Sequence, residues 1–266
     1  MTTRLAVVMA AGKGTRMKSD LPKVLFPVLG RPMIEYVLDT LERAGIDRVF
    51  VVVGYRGDLV RQVLGHRVEA AGNGKSTMSV AFVEQTEQLG TGHAVMMARP
   101  HLAGQAGPTL VVAGDCPMIR VDSVRKIFDA YELRSDSPGS APPACVLGTA
   151  YKENPFGLGR ILRDAVGTFL DIVEEKDATD DQKAIREVNM SYYLFHTPDL
   201  LRALGDIKAD NVQKEYYVTD VPAVLRRLGK TVLALPVLQP IESLGINTVE
   251  ELEAVEAAMR EEETNE

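Results

Sequence analysis

A glycine-rich turn with cations close behind it is the feature of this sequence best suited to chemistry. Positions 10–17 read Ala10-Ala11-Gly12-Lys13-Gly14-Thr15-Arg16-Met17 and follow directly on an apolar run. Glycine lets a backbone approach an anion closely, and a loop leaving a strand can turn several N–H groups towards it. Arg16 and Lys23, the latter within Pro22-Lys23-Val24-Leu25, flank this turn. Either cation alone reads as a solvated surface charge, but with the turn they read as a polyphosphate clamp. Two familiar phosphate fingerprints fail. The third glycine of a dinucleotide loop would fall at Met17, and the P-loop's second glycine is missing. Asp115 is the other conspicuous group. It follows an apolar run at 109–113, which places a carboxylate at the end of an expected parallel strand, where open α/β sheets bind ligands.

The elements that must position these groups are legible as patterns. Residues 5–9, 48–53, 79–83 and 109–113 are short apolar runs bounded by turn residues, as buried parallel strands are. Residues 32–44 carry Met33, Ile34, Val37, Leu38 and Leu41 at helical spacing, with Pro32 at the start and Gly45 beyond the end. Further helices are expected at 58–64, 91–98 and 121–133. This β-α-β-α rhythm implies a doubly wound, mostly parallel sheet, Rossmann-like in style. Residues 135–143 are rich in Pro, Gly and Ser and read as a loop or boundary. Beyond them the pattern turns to strands at 144–150, 159–163, 169–174 and 188–195, an added antiparallel lobe. Helices at 198–205 and 219–228, a strand at 231–237 and a last helix from 249 to about 262 complete the chain.

The stretch from Ala10 through Leu25 resembles the signature of the sugar-1-phosphate nucleotidyltransferases. Further matches follow in order: Gln85 to Ala94 within EQTEQLGTGHA, GDCPMI from Gly114, GLGRI from Gly157, IVEEKDAT from Ile172, EVN from Glu187, EYYVTD from Glu215 and GIN from Gly245. In this order they look like the pyrophosphorylase domain of the bifunctional GlmU enzymes, over roughly Leu5 to Asn247. The resemblance implies a nucleotidyltransferase domain at 1–247. Its nucleotide-binding half would span about 1–134 and its sugar-binding half about 144–247, with a C-terminal helix and tail at 248–266. It implies attack by a sugar-phosphate oxygen on the α-phosphorus of UTP, with pyrophosphate leaving. Arg16 and Lys23 would be the catalytic cations. Ala10, Ala11, Gly12, Gly14, Gln85, Gly90 and Thr91 would hold the nucleotide. Gly159, Glu174 and Asn189 would hold the sugar, with Tyr216 and Tyr217 as possible walls. Asp115 and Asn247 would hold Mg²⁺.

Three positions depart from the resemblance. Ser191 and Lys214 stand where the family often has glycine, and Ala113 where it often has tyrosine. They leave the sugar more open than the reaction. N-acetylglucosamine 1-phosphate is the expected acceptor. Glucose 1-phosphate, a different nucleotide such as dTTP, or a non-catalytic sugar-nucleotide regulator are the alternatives. Molybdopterin- or isoprenoid-type nucleotidyltransferases share the opening loop but not the later sugar-lobe matches.

Composition narrows the remaining classes. Cys116 and Cys145 are the two cysteines, and the four histidines are scattered, so a disulfide framework or a thiolate–imidazole zinc site is not expected. Any metal should be hard and oxygen-bound. No Ser-His-Asp or Cys-His arrangement stands out, and His93 reads as a structural helix residue. The net charge of −7 argues against a nucleic-acid partner. No apolar run approaches the roughly 20 residues of a membrane span, and the first strand does not read as a signal peptide, so a cytoplasmic location is the expectation. Hexapeptide β-helix repeats are not seen, so neither acetyltransferase activity nor a β-helix-mediated trimer is expected.

Overall fold

The computed structural model of the chain describes residues 2–14, 19–135, 141–244, 246 and 248–265. Its first half contains β1 (Leu5–Ala10), β2 (Pro27–Val28), β3 (Arg31–Pro32), α1 (Met33–Arg43), β4 (Arg48–Val53), α2 (Gly57–Val63), α3 (Gly65–Gly72), β5 (Ser79–Glu84), α4 (Thr91–Met97), α5 (Arg99–Leu102), β6 (Pro108–Ala113) and α6 (Val121–Ser135). The second half contains β7 (Cys145–Tyr151), β8 (Arg160–Arg163), β9 (Phe169–Val173), α7 (Asp180–Lys183), β10 (Glu187–His196), α8 (Thr197–Ala203), α9 (Asp220–Arg227), β11 (Val232–Leu235) and α10 (Val249–Asn265).

Among the described residues, nine strands form one sheet in the order β11-β7-β10-β6-β1-β4-β5, with β8 paired to β10 and β9 paired to β8. β1 pairs in parallel with β4 on one side and β6 on the other. β1 is an apolar run because both sheet faces are covered, which leaves no position for an alternating polar residue. Ala6, Val8 and Ala10 face one buried cluster with α1 and α6, while Leu5 and Val7 face a second with α4, α8 and α9. α1 ends as its sequence dictates. Gly45 adopts φ 88°, Ile46 N–H donates to Leu41 O at 3.1 Å and Gly45 N–H to Glu42 O at 3.0 Å, which together close the last turn.

The strands expected to form an added lobe extend the same sheet. β10 runs antiparallel between β6 and β7, so β7 points in the same direction as β6 and β1. β10 carries a bulge where its register to β7 shifts between Asn189 and Tyr192. Registers bring the strand ends to one rim: Ala10 lies opposite Val53, Val53 opposite Glu84 and Met9 opposite Ala113. The residues that follow these ends are Ala11, Gly54, Gln85 and Gly114. β10 enters from that rim and β7 leaves at it. The C-terminal helix α10 closes a third, smaller cluster through Leu252, Val255 and Met259 against Val28, Met33 and Met118. Among the described residues no helix is long and apolar enough to cross a membrane.

Candidate functional site

Two cavities open on the rim, and their common wall contains Lys23, Ala113, Asp115 and Ser191. The first, of about 440 Å³, is lined by Ala11, Gly12, Gln85, Gln88, Gly90, Thr91 and Glu215. The second, of about 450 Å³, is lined by Lys152, Gly157, Leu158, Asn189 and part of α10.

Lys23 is aimed by a short helical turn. Pro22 starts it, Leu25 N–H donates to Pro22 O at 2.9 Å, and Val24 and Leu25 are buried. The lysine between them is thereby sent into the cleft. Its ammonium is bonded to the Asp115 carboxylate. Gly14, at φ 67°, packs on the Lys23 stem so tightly that a Cβ there would stand 2.8 Å from Lys23 Cβ. Gly12 is different, because a Cβ on it would meet no protein atom within 4 Å. Its backbone borders open cavity, the arrangement an anion needs for close approach. The loop is held by Ala11 O, which accepts from Gln88 Nε2 at 3.0 Å and from Tyr55 N–H at 3.2 Å. Arg16 lies outside the described residues.

Gln85 is 5% exposed and forms the floor of the first cavity. Its Nε2 donates to Gly90 O at 3.1 Å and faces His93 Nδ1 at 3.0 Å. Both amide protons are used, which leaves Oε1 as an acceptor directed by its neighbours. His93 therefore orients the glutamine, as a helix residue with a structural role. Gly90 has φ 105°, and a Cβ on it would strike Tyr216 O at 2.5 Å. That contact, and the bond from Val218 N–H to Thr91 Oγ1 at 3.0 Å, ties the first cavity's floor to the segment containing Tyr216 and Tyr217.

On the other side, Gly159, Glu174 and Asn189 converge. A Cβ on Gly159 would lie 3.4 Å from Asn189 Cβ and 3.6 Å from the Glu174 carboxyl carbon. Asn189 Nδ2 donates to Tyr193 Oη at 2.6 Å, and Asn189 Oδ1 accepts from Ser191 N–H at 3.3 Å, so one amide proton is left for a ligand. Burial pushes the Glu174 carboxyl up; the nearby Thr219 hydroxyl opposes this and Asp177 adds to it. Thr219 Oγ1 is buried close to the Glu174 carboxyl without completing a hydrogen bond of good geometry to any described residue. Arg160, 1% exposed, pins this corner: it pairs with Glu175 at 2.6 Å and donates to Leu158 O. A second pair, half-buried Arg163 with buried Glu187 at 2.6 Å, holds the start of β10, and Thr149 Oγ1 donates to the same Glu187 carboxylate at 2.6 Å.

The departures Ser191 and Lys214 both sit in the left-handed region, at φ 58° and 57°. The backbone thus keeps a glycine-like conformation that costs a non-glycine residue about 1–2 kcal/mol. Ser191→Gly is expected to raise stability by about 1 kcal/mol, read as a higher denaturant midpoint at unchanged slope. An unchanged or lowered midpoint would show that the Ser191 side chain compensates for the strain.

Glu174 itself lines a third cavity, with Asp171, Asp177 and Asp220, and is not part of the second cavity's lining. Burial, then Asp171 and Glu174, push Asp220 up to about 6. In the unfolded chain the group titrates in the ordinary carboxylate range, so between about pH 4 and 6 the folded state binds the extra proton. Stability is therefore lost as pH rises through that window and stays lost above it. Asp220→Asn should stabilise the protein at pH 7 and flatten the curve between pH 4 and 6. Equal pH profiles of thermal melting for variant and parent would contradict this.

Asp115 is suited to a hard cation. Its carboxylate stands in the common wall with 23% of the side chain exposed. No group of three or more His, Cys, Asp and Glu residues that could hold a metal exists among the described residues. One carboxylate fits an ion that takes its other ligands from water and phosphate, as Mg²⁺ does, and does not fit a closed protein-made site. Asn247 lies outside the described residues. Burial and the neighbouring Asp115 carboxylate push the Cys116 thiol up, away from the thiolate a nucleophile needs.

Sequence reading missed Gln88, Glu215, Thr219 and Lys152 as parts of the site. Gln88, Thr219 and Glu215 lay within matched segments; Lys152 had no local signal.

The chain is 43% identical to the bifunctional protein GlmU of Streptococcus suis over 260 residues, 98% of this chain and 52% of that protein. It is 41% identical to the same bifunctional protein of Solibacter usitatus over 256 residues, 96% of this chain and 51% of that one. The chain therefore spans about half the length of these relatives. A crystal structure of UDP-glucose pyrophosphorylase complexed with UDP-glucose superposes with a TM-score of 0.74 over 98% of this chain and 100% of that chain, at 17% identity, a likeness of fold. The MobA-like NTP transferase domain matches residues 6–187, more than half of the chain and the part that builds the glycine loop, Lys23, Gln85 and Asp115, and this chain belongs to that family.

Proposed function

We propose that the chain is a uridylyltransferase that joins UTP to a sugar 1-phosphate, preferably N-acetylglucosamine 1-phosphate, giving UDP-sugar and pyrophosphate. The observation that carries this reading is the Lys23–Asp115 pair in the wall common to two cavities. One cavity has the fittings for a base and polyphosphate, and the other offers Asn189 to a polar sugar, with Glu174 packed beside Asn189 across Gly159. A sugar-phosphate oxygen attacks the α-phosphorus of UTP, the α–β bridging P–O bond breaks, and the electron pair leaves with pyrophosphate. Such a displacement needs alignment and charge neutralisation more than covalent catalysis.

Each residue has a part in this scheme. Gln85 Oε1 accepts the N3–H of uracil; cytosine has no proton there and leaves a buried acceptor unpaired. The backbone at Ala10, Ala11, Gly12 and Gly14 receives the triphosphate. Lys23, with Arg16, neutralises charge growing on the phosphates. Glu174 accepts from a sugar hydroxyl, Thr219 pairs its buried hydroxyl there, and Asn189 donates its remaining N–H to the N-acetyl carbonyl. Asp115 and Asn247 would hold Mg²⁺, whose chemistry when bound is to neutralise phosphate oxygens and fix their orientation. The carboxylate has lone pairs enough to serve the ion and Lys23 together.

The identity to GlmU proteins supports the N-acetyl sugar. The fold shared with a UDP-glucose pyrophosphorylase favours glucose 1-phosphate as the second reading. Pyrophosphate release with Mg²⁺, each of the four NTPs and dTTP, and a panel of sugar 1-phosphates tests both. UTP with N-acetylglucosamine 1-phosphate should be the best pair. Turnover with glucose 1-phosphate alone would select the second reading, and no turnover with any pair would reject both.

A further inference from the structure

We propose that Lys152 is a binding residue for the phosphate of the sugar 1-phosphate, on the side of that group away from the nucleotide; this rests on the uridylyltransferase reading. Lys152 directly follows β7, whose end lies on the same rim as the ends of β1 and β6. It lines the second cavity together with Lys23, Asp115 and Asn189.

The carboxylates of this wall have partners of their own. Asp115 is bonded to Lys23. Glu242 accepts from Ser123 Oγ at 2.6 Å, Tyr192 Oη at 3.2 Å and Gln239 N–H at 2.9 Å. Glu251 accepts from Thr248 N–H at 3.1 Å. The Lys152 ammonium has a neutral partner instead: it donates to Ser243 Oγ at 2.5 Å, and among the described residues no carboxylate lies within ion-pair distance. Half-burial costs it hydration and pulls its pKa down. A desolvated cation with no protein counter-charge, facing a cavity, is completed by an anionic ligand.

The cavity identifies which anion. Its lining contains Asn189 and the Gly157–Leu158 loop but none of Gln85, Gly90 and Thr91, which form the floor of the first cavity. The occupant is thus the nucleotide's reaction partner, and its phosphate is the group that must lie near the shared wall. Lys23 serves that wall from the nucleotide side and Lys152 from the sugar side.

The test uses the full chain with Lys152→Gln and Lys152→Arg. KM values for N-acetylglucosamine 1-phosphate and for UTP are measured separately, with thermal melting as the folding control. Calorimetric titrations of each substrate supply a readout independent of turnover. Lys152→Gln should raise the KM for the sugar phosphate at least tenfold and weaken its binding to match. KM for UTP should stay within threefold, and Lys152→Arg should recover most of the loss. Active parent enzyme with an unchanged sugar-phosphate KM in Lys152→Gln, or an equal rise for UTP, would overturn the role of Lys152 and leave the uridylyltransferase reading standing. A parent enzyme silent with every sugar phosphate would overturn that reading, and this proposal with it.

Discussion

Lys23→Met is expected to lower kcat/KM by about 10²–10³-fold, the effect of removing one preorganised charge from a phosphate site, about 2.7–4 kcal/mol. Methionine keeps most of the unbranched stem on which Gly14 packs, so the substitution isolates the charge. Lys23 is the cation common to both cavities among the described residues, and its loss should therefore be felt in kcat as well as in both KM values. The stability change should be small, because the pair with Asp115 is partly hydrated, with side chains 17% and 23% exposed. Steady-state kinetics beside thermal melting checks both halves of the expectation. A variant within fivefold of the parent would remove Lys23 from the phosphate site, and a collapse of the melting transition would show that the pair is structural.

Asp115→Ala should be more damaging, with a loss of about 10³-fold or greater, since it removes the carboxylate proposed to hold the ion and leaves Lys23 without its partner. Asp115→Asn separates the two effects. The amide oxygen still accepts from Lys23, so the fold and the lysine stay in place, while the negative charge is gone. Activity of Asp115→Asn should remain near that of the alanine variant and should need a higher Mg²⁺ concentration for half of its maximum. Recovery to within tenfold of the parent would mean that Asp115 positions Lys23 and does nothing more. The double variant Lys23→Met with Asp115→Asn should lose far less than the product of the single losses, because the two groups act as one unit.

Much of this arrangement was legible in the residues. Arg48–Val53 was bounded at both ends as it occurs, because a strand buried on both faces must be a continuous apolar run. α1 was legible from Met33 to Leu41 because its buried stripe has helical period and its end carries glycine. Short helices were not. α7 has four residues, too few for a period, although Thr179 and Gln182 form a capping box that announces it. α3 buries no residue, so it left no apolar stripe to read. The change to strands after residue 143 pointed to an antiparallel lobe added to the parallel sheet, but not to which strand it joins. Pairing of β10 with β6 is a matter of register across long separation, which local pattern does not encode.

The site divides the same way. Asp115 was legible because it stands just beyond an apolar strand, and Gln85 because the EQTEQLGTGHA segment around it resembles the family's. Gln88 was not, because its bond to Ala11 O spans 77 positions. Lys152 carried no motif; what marks it is a cavity and the lack of a counter-charge, both products of tertiary structure. Ser191 stood out as a departure, but only the backbone reveals that a glycine-like φ is retained beneath it.

The central claim is that the α–β bond of UTP is broken and the uridylyl group moves to the sugar phosphate. The most direct measurement follows two labels, one at the α- and one at the γ-phosphorus of UTP, in separate incubations with N-acetylglucosamine 1-phosphate and Mg²⁺. The account predicts α-label in the UDP-sugar and γ-label in pyrophosphate, at equal rates and dependent on the sugar phosphate. Label from the γ-position in orthophosphate or on the sugar, with none of the α-label in a sugar nucleotide, would contradict it.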